Sequence, residues 1–372
     1  PPPPRPAFFF STNTPPSPIA SCLVGWEMCI RDWTGANGSC AAADMTQDKY
    51  DVILIDQWPD HVNSMNSNGL VINLPDETKK VNVSAYHLCQ LAEMNIKFDY
   101  VFLFVKAYDT QWVTKLITPY LNEEAIIIGV QNAMTNDRIS DIVGPDRTLG
   151  CVVELSSELF TPGIIQRDTP NQKTWFGIGA LCNSMETRLP EIKKILSSVG
   201  NVDIIEDIVS AKWMKLIINA MCMGPFAMLG TSLYEGFKIT GMREIIMKIG
   251  TEALLVGQRR GYKIVPIFGL SEDQINNSNN PIELMLDKLI KDIGPNARDA
   301  VFHDHLKGRY SEVDEITRLL LEYAQGRTWL STFVSSVKSL LPVAPDRKLS
   351  RGEVQKISAG MQIIINGLSS PL

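Results

Sequence analysis

Lys215 and Asn219 lie four residues apart in the apolar run IVSAKWMKLIINAMCMGPFAML, a spacing that puts both on one face of a helix. A lysine on a buried helix face has its charged form disfavoured by desolvation, so it can give a proton to an oxygen anion forming beside it. The plain alternative is that Lys212 and Lys215 only form the polar stripe of an amphipathic helix. A second cluster, Gly35-Ala36-Asn37-Gly38-Ser39, precedes the helical run CAAADM. Glycines before a helix let the backbone approach a pyrophosphate held at the helix N-terminus. In the frame G-x-G-x-x-G, however, Trp33 stands where the first glycine belongs, and an ordinary glycine-containing helix start explains the segment as well. Asp56 closes the next apolar run, VILID, 21 residues after Gly35. A carboxylate there binds ribose hydroxyls and repels a 2′-phosphate, which favours NADH over NADPH, although Asp56 could equally cap a helix before Gln57-Trp58-Pro59.

These residues need a sheet with helices to hold them. From Gly35 onward short β-rich runs alternate with helical stretches: DVILI (51–55), YVFLFV (100–105), AIIIGV (125–130) and TLGCVVEL (148–155). That alternation predicts a parallel sheet covered by helices. GLVINLP and KKVNVSA read as an inserted hairpin, and TPGIIQRDT and TWFGIGAL (174–181) as antiparallel strands at the edge of the same domain. Beyond about residue 206 the strand signal ends and long helical patterns follow. The expected fold is therefore an α/β Rossmann-type N-terminal domain with an all-α C-terminal domain. Its boundaries are drawn at 34–206 and 207–345, with 1–33 a disordered or artefactual segment and 346–372 a tail or last helix. In such a sheet Lys106 and Asn132 fall at C-terminal strand ends, where ligands bind, but a helix-start lysine and a turn-forming asparagine would look the same. Glu312 follows Ser311 as a helix-start acid would. His303-Asp304-His305 offers two ligand types two residues apart with no third nearby, a poor metal set.

With 372 residues, 45% of them hydrophobic, the chain is long enough for two domains. Its net charge of -6 comes from 41 acids and 35 bases without a block of like charge, so no nucleic-acid or membrane surface is expected. Seven cysteines, none spaced C-x-x-C, read as reduced thiols of a cytoplasmic protein. The longest apolar runs, VFLFV and AIIIGV, are far shorter than the roughly 18 residues of a membrane helix. Residues 1–33 carry PPPP, PPSP and FFF without strand or helix periodicity. A Pro-rich disordered tail or a Ser-rich transit peptide fits them, and VGWEMCIRD also resembles translated sequencing-adaptor read-through standing in place of the natural start.

VKAYDT (105–110), QNAMT (131–135), AKWMKLIINA (211–220) and KGRYSEVDEI (307–316) come in the order found in the ketopantoate reductase family, which the chain resembles from about Gly35 to about Tyr323. The resemblance implies a Rossmann domain, a helical C-terminal domain and NADPH-dependent reduction of ketopantoate to pantoate, a step of pantothenate biosynthesis, with a homodimer an expected assembly. It implies that Lys215 is the proton donor, that Asn219 contacts substrate, that Lys106 lies along the cofactor and that Asn132 lies near the nicotinamide ribose and substrate. Glu312 corresponds to a glutamate that binds substrate and cofactor ribose, and Asp304 to a structural acid. A 2-oxo acid receiving a hydride needs a cation for its carboxylate, a proton donor for the forming alkoxide and dry surroundings. The expected site is thus catalytic Lys215, Asn132 and Glu312, substrate-binding Asn219, and Gly35, Asn37, Gly38, Asp56, Lys106, Asn132 and Glu312 for the cofactor, with no metal.

Three positions depart from the family: a glycine after the QN pair is Ala133, an asparagine four residues past Asn219 is Met223, and a serine four residues before Asp304 is Ala300. Two lost polar contacts would weaken ketopantoate binding roughly 10² to 10⁴-fold, unless neighbours compensate or the substrate is a more apolar 2-oxo acid. A catalytically silent dinucleotide-binding or regulatory protein is the alternative these changes raise, and a parent whose true start holds an intact glycine loop is a third.

Overall fold

The computed structural model describes residues 30–33, 35–294 and 297–323, with the backbone alone described at 30–33, 228, 318, 319 and 321–323. The expectations for 1–29 and for the C-terminal tail lie outside the described residues. The first half of the chain builds strands β1 (Ile30–Trp33), β2 (Val52–Asp56), β3 (Leu70–Asn73), β4 (Thr78–Val81), β5 (Ser84–His87), β6 (Phe98–Leu103) and β7 (Leu121–Gly129). Next come β8 (Thr148–Glu154), β9 (Ser157–Thr161), β10 (Ile164–Arg167), β11 (Trp175–Ala180) and β12 (Asn201–Ile204). Between them lie α1 (Ala36–Gln47), α2 (Pro59–Asn68), α3 (Thr110–Ile117), α4 (Asn136–Val143) and α5 (Leu189–Leu196).

The described strands form two sheets. The larger runs β12-β11-β8-β7-β6-β1-β2-β5, parallel from β8 through to β5, with β11 antiparallel to β8 and β12 parallel to β11. The continuous apolar runs of β6 and β7 follow from burial on both faces, the usual condition of a helix-covered parallel strand. The smaller sheet runs β4-β3-β10-β9.

Three expectations need correction. Residues 30–33, assigned to a segment without strand periodicity, pair as β1 between β2 and β6. The ladder uses main-chain N–H and C=O groups, so side-chain pattern need not announce such a strand. KKVNVSA does not stay in one hairpin, because β4 ends at Val81 and Ser84–His87 leave to extend the large sheet beside β2. TPGIIQRDT supplies β10 of the small sheet, parallel to β3, rather than an edge strand of the large one.

Beyond β12 the described chain is helical: α6 (Ile208–Leu229), α7 (Leu233–Phe237), α8 (Met242–Arg259), α9 (Glu272–Asn276), α10 (Pro281–Asp292), α11 (Ala300–Leu306) and α12 (Val313–Tyr323). Asp207 caps the start of α6 by accepting from the Ser210 N–H at 2.9 Å, and Gly230 ends the helix with φ +62°. The helix is apolar on most sides, because it lies between the sheet and the other helices, with Trp213, Met214, Leu216, Ile217 and Ile218 all buried. It seats on β8 and β11 where glycines leave room. A Cβ on Gly150 would come within 2.7 Å of Ile208, and one on Gly179 within 2.6 Å. No helix among the described residues is long and apolar enough to cross a membrane.

Candidate active site

The carboxyl ends of β1, β2, β6, β7 and β8 open onto a cleft roofed by α11 and the turn before α12. A cavity of about 210 Å³ there is lined by Gly35, Asn37, Asp56, Lys106, Asn132 and Glu312, among others. Gly38 lies beside it, buried within the first turn of α1. Gly35 has extended backbone as the N-cap of α1, offers no side-chain cap, and accepts the first intrahelical bond from the Ser39 N–H at 3.0 Å. The first-turn N–H groups of Ala36, Asn37 and Gly38 thus lack intrahelical acceptors, and the turn holds no acid. That is the donor set a phosphate fits at a helix N-terminus. Asp56 lines the groove and accepts from the Trp58 N–H at 2.7 Å; Trp58 itself is the N-cap of α2, which has no side-chain cap, so Asp56 turns the chain before the helix rather than capping it.

Lys106 follows β6 and sits at the groove wall, where its Nζ lies 2.8 Å from Asp304 Oδ2 and 3.0 Å from Glu312 Oε2. Burial opposes its charge, but the Glu312 and Asp304 carboxylates more than compensate and hold its pKa above the usual lysine range. Glu312 Oε1 accepts from the Ala107 N–H at 2.9 Å. Both Glu312 oxygens are therefore engaged within the protein, a different set of partners from the substrate and ribose expected of it. The reason is its burial, at 2% exposure, which demands a cation and a donor nearby. Asp304 pairs with Lys106 at the groove wall, while His303 meets Glu158 Oε1 at 2.9 Å.

A second cavity of about 130 Å³ adjoins the groove and shares Asn132, Asn37, Ser157 and His303 with it. Lys215 and Asn219 both line it, as their spacing on α6 predicts, together with Met223 and Ala300. Asn219 Nδ2 donates to Asn132 Oδ1 at 3.1 Å, which joins α6 to the turn after β7. The Lys215 ammonium lies 4.7 Å from the centre of the Phe268 ring. Burial lowers its pKa below the usual lysine range, and the Glu154 charge pulls the other way. Of the expected residues, the structure brings Lys215 and Asn219 to the smaller cavity, Gly35, Asp56, Lys106 and Glu312 to the groove, and Asn37 and Asn132 to both, while Gly38 lines neither.

Sequence reasoning missed two residues here. Lys212 is not polar stripe but is buried, its Nζ donating to the carbonyls of Gln131 at 3.0 Å and Cys151 at 3.2 Å. Burial pushes it down to about 8. Glu154 ends β8 at the cavity wall, and the strand-end rule that marked Lys106 and Asn132 would have marked it too.

Residues 34–180 match the family described as ketopantoate reductase PanE/ApbA, and residues 207–328 match its C-terminal domain. A 2-dehydropantoate 2-reductase of Streptococcus pyogenes serotype M3 is 24% identical over 238 residues, 62% of this chain and 74% of that protein. The crystal structure of a PanE/ApbA family ketopantoate reductase from Ralstonia eutropha JMP134 superposes with a TM-score of 0.69 at 20% identity, covering 85% of this chain and 99% of the other. D-mandelate dehydrogenase, in a ternary structure with NADH and anilino(oxo)acetate, superposes with a TM-score of 0.71 at 17% identity and the same coverage. Matches to both domains, in sequence order and over most of the described residues, make the chain a member of the ketopantoate reductase family.

Proposed function

We propose that this protein reduces a small 2-oxo acid to the 2-hydroxy acid, with Lys215 as general acid and a nicotinamide dinucleotide in the larger cavity. A bound dihydronicotinamide would supply the hydride. The protein's own residues do the rest. The bare N-terminus of α1 and the glycine turn hold phosphate, and Asp56 holds ribose hydroxyls. Asn132 faces both cavities and, paired with Asn219, fixes the partition at which ring and carbonyl meet. Lys215 Nζ, enclosed and inclined to lose its proton, delivers it to the oxygen of the reacting carbonyl. Lys106, Asp304 and Glu312 act as positioning residues that hold the groove wall.

The observation that carries this reading is that Lys215 lines a small cavity which shares a wall with the phosphate-ready groove. The Asp56 carboxylate at the end of β2 supports NADH as the preferred cofactor, since it would repel a 2′-phosphate by a factor on the order of 10. A homodimer in the cytoplasm belongs to the same reading. The test is a panel of branched 2-oxo acids assayed with NADH and NADPH by absorbance loss, on wild type and Lys215→Ala. Turnover is expected to fall at least roughly 10²-fold in the variant, while dinucleotide affinity stays within about twofold. Unchanged turnover in Lys215→Ala would refute the assignment.

A further inference from the structure

The parallel ladder between β7 and β8 ends at the pair Gly129 and Gly150. Beyond it the strands part: the Val130 N–H donates to the Leu103 carbonyl of β6 at 3.1 Å, while β8 stays with β11 as far as Glu154. The gap opens on both cavities, since Asn132 on one side and Val153 on the other line each of them. Lys212 reaches into this gap from α6. Its Nζ donates to the Gln131 carbonyl at 3.0 Å and the Cys151 carbonyl at 3.2 Å, with the Gly129 carbonyl at 3.5 Å. The residue is 3% exposed and lines neither cavity, and the Cys151 thiol is the titratable group that faces it. A buried ammonium without a counter-ion is unfavourable, and an apolar side chain would fill the same space without that cost. The seam is short of other ties. Gln131 and Asn136, whose side chains crowd Gly129 and Gly150, keep a buried Nε2 and a buried Oδ1 without partners.

We propose that Lys212 is a positioning residue of the reduction: its ammonium ties the parted ends of β7 and β8 and so fixes the width of the neck at which nicotinamide and carbonyl meet. This deepens the reductase reading and rests on it. The Gln131 carbonyl belongs to the peptide that leads into Asn132, and the next residue, Ala133, holds φ +62°. A turn in that conformation persists only where its surroundings hold it. Lys212 holds it from the sheet side, and Asn219 holds the Asn132 side chain from α6. An ammonium suits the task because it carries three donors and no acceptor, so it draws carbonyls of two strands towards one point, where a single hydroxyl would meet one of them. Lys212 itself touches neither cavity, so it acts through Asn132 and Val153.

The test compares the full chain as wild type, Lys212→Met, Asn132→Ala and the double variant. Each is assayed for turnover of 2-oxo acids, and each is titrated with the whole oxidised dinucleotide and with ADP-ribose, which lacks the nicotinamide. Lys212→Met is expected to lower kcat roughly 10- to 100-fold and to erase the affinity that the nicotinamide half adds to the whole dinucleotide, while ADP-ribose binding stays within about twofold. In the Asn132→Ala background the same change should lower kcat by less than about threefold, because the group it positions is gone. Should the methionine variant not fold, Lys212→Gln, which keeps an uncharged donor, enters the same cycle with the same pattern expected. Unchanged kcat, losses that multiply in the double variant, or ADP-ribose affinity falling in step with kcat overturns the proposal, the last because it marks general damage. If wild type turns over no 2-oxo acid, the reductase reading falls, and the nicotinamide share of binding then decides for Lys212: its loss in the variant keeps the tie at the neck, and its survival removes it.

Discussion

Ala133 has φ +62°, a left-handed conformation that crowds its Cβ against the backbone. The family places glycine at this position, so the chain carries strain in the turn that also presents Asn132 to both cavities. Ala133→Gly is expected to stabilise the fold by about 1 kcal/mol, the relief of roughly 1–2 kcal/mol being partly offset by the greater freedom of an unfolded glycine. A thermal melt should show a rise of roughly 2–3 °C, and a fall would mean that the turn is not strained. Residues of this kind divide sharply in how far the sequence reveals them. Lys215 and Asn219 could be read directly, because helical spacing fixes their common face whatever the surroundings. Lys212 could not, because its role depends on which carbonyls the tertiary packing brings beside it, whereas Glu154 was open to the strand-end rule.

At the scale of elements, α6 is the part on which the site depends, since Lys212, Lys215, Asn219 and Met223 all project from it. Its seat is set by glycine. A Cβ on Gly179 would fall 2.4 Å from the Ile205 carbonyl oxygen and 2.6 Å from the Ile208 side chain, so Gly179→Ala must displace backbone just where the helix begins. The expected cost is about 2–3 kcal/mol in denaturant unfolding, accompanied by a loss of turnover larger than the loss of dinucleotide affinity. An unchanged midpoint would show that the helix start yields freely. The long helices α6, α8 and α12 were legible from periodicity, and so were β2, β6, β7 and β8 from their apolar runs. β1 and β5 were not, because each is a short strand held by main-chain pairing rather than by a repeating apolar pattern. β10 was visible as a strand but not as a member of a second sheet, because partner choice is a long-range property.

Over the whole molecule, Lys106 links the strand end after β6 to both α11 and the start of α12, through Asp304 and Glu312. Arg138 adds a parallel link, donating to the Ala107 carbonyl at 2.9 Å and pairing with Glu315. Lys106→Met removes the cation and leaves two buried carboxylates uncompensated, at an expected cost of about 3–5 kcal/mol near neutral pH. Asp304, already raised by burial, would rise further without Lys106. A carboxyl whose folded pKa exceeds its unfolded one gives stability that is present in acid and lost as pH rises through the folded value. The deficit of the variant against wild type should therefore be smaller at pH 5 than at pH 8 in parallel urea titrations, and a deficit equal at both would argue that the carboxylates find other partners. The two-domain plan was legible from the change of pattern near residue 206, but this junction was not, since its residues are about 200 positions apart.

Asn37, Asn132, Val153, Ser157, Ala300 and His303 each face both cavities, so a single layer of side chains separates them. Whatever occupies one compartment forms part of the boundary of the other. An evolutionary change at any of these six positions resizes two chambers at once, and new substrate ranges in such a protein must arise either with a compensating adjustment of cofactor fit or from side chains deeper in, where the wall is not held in common.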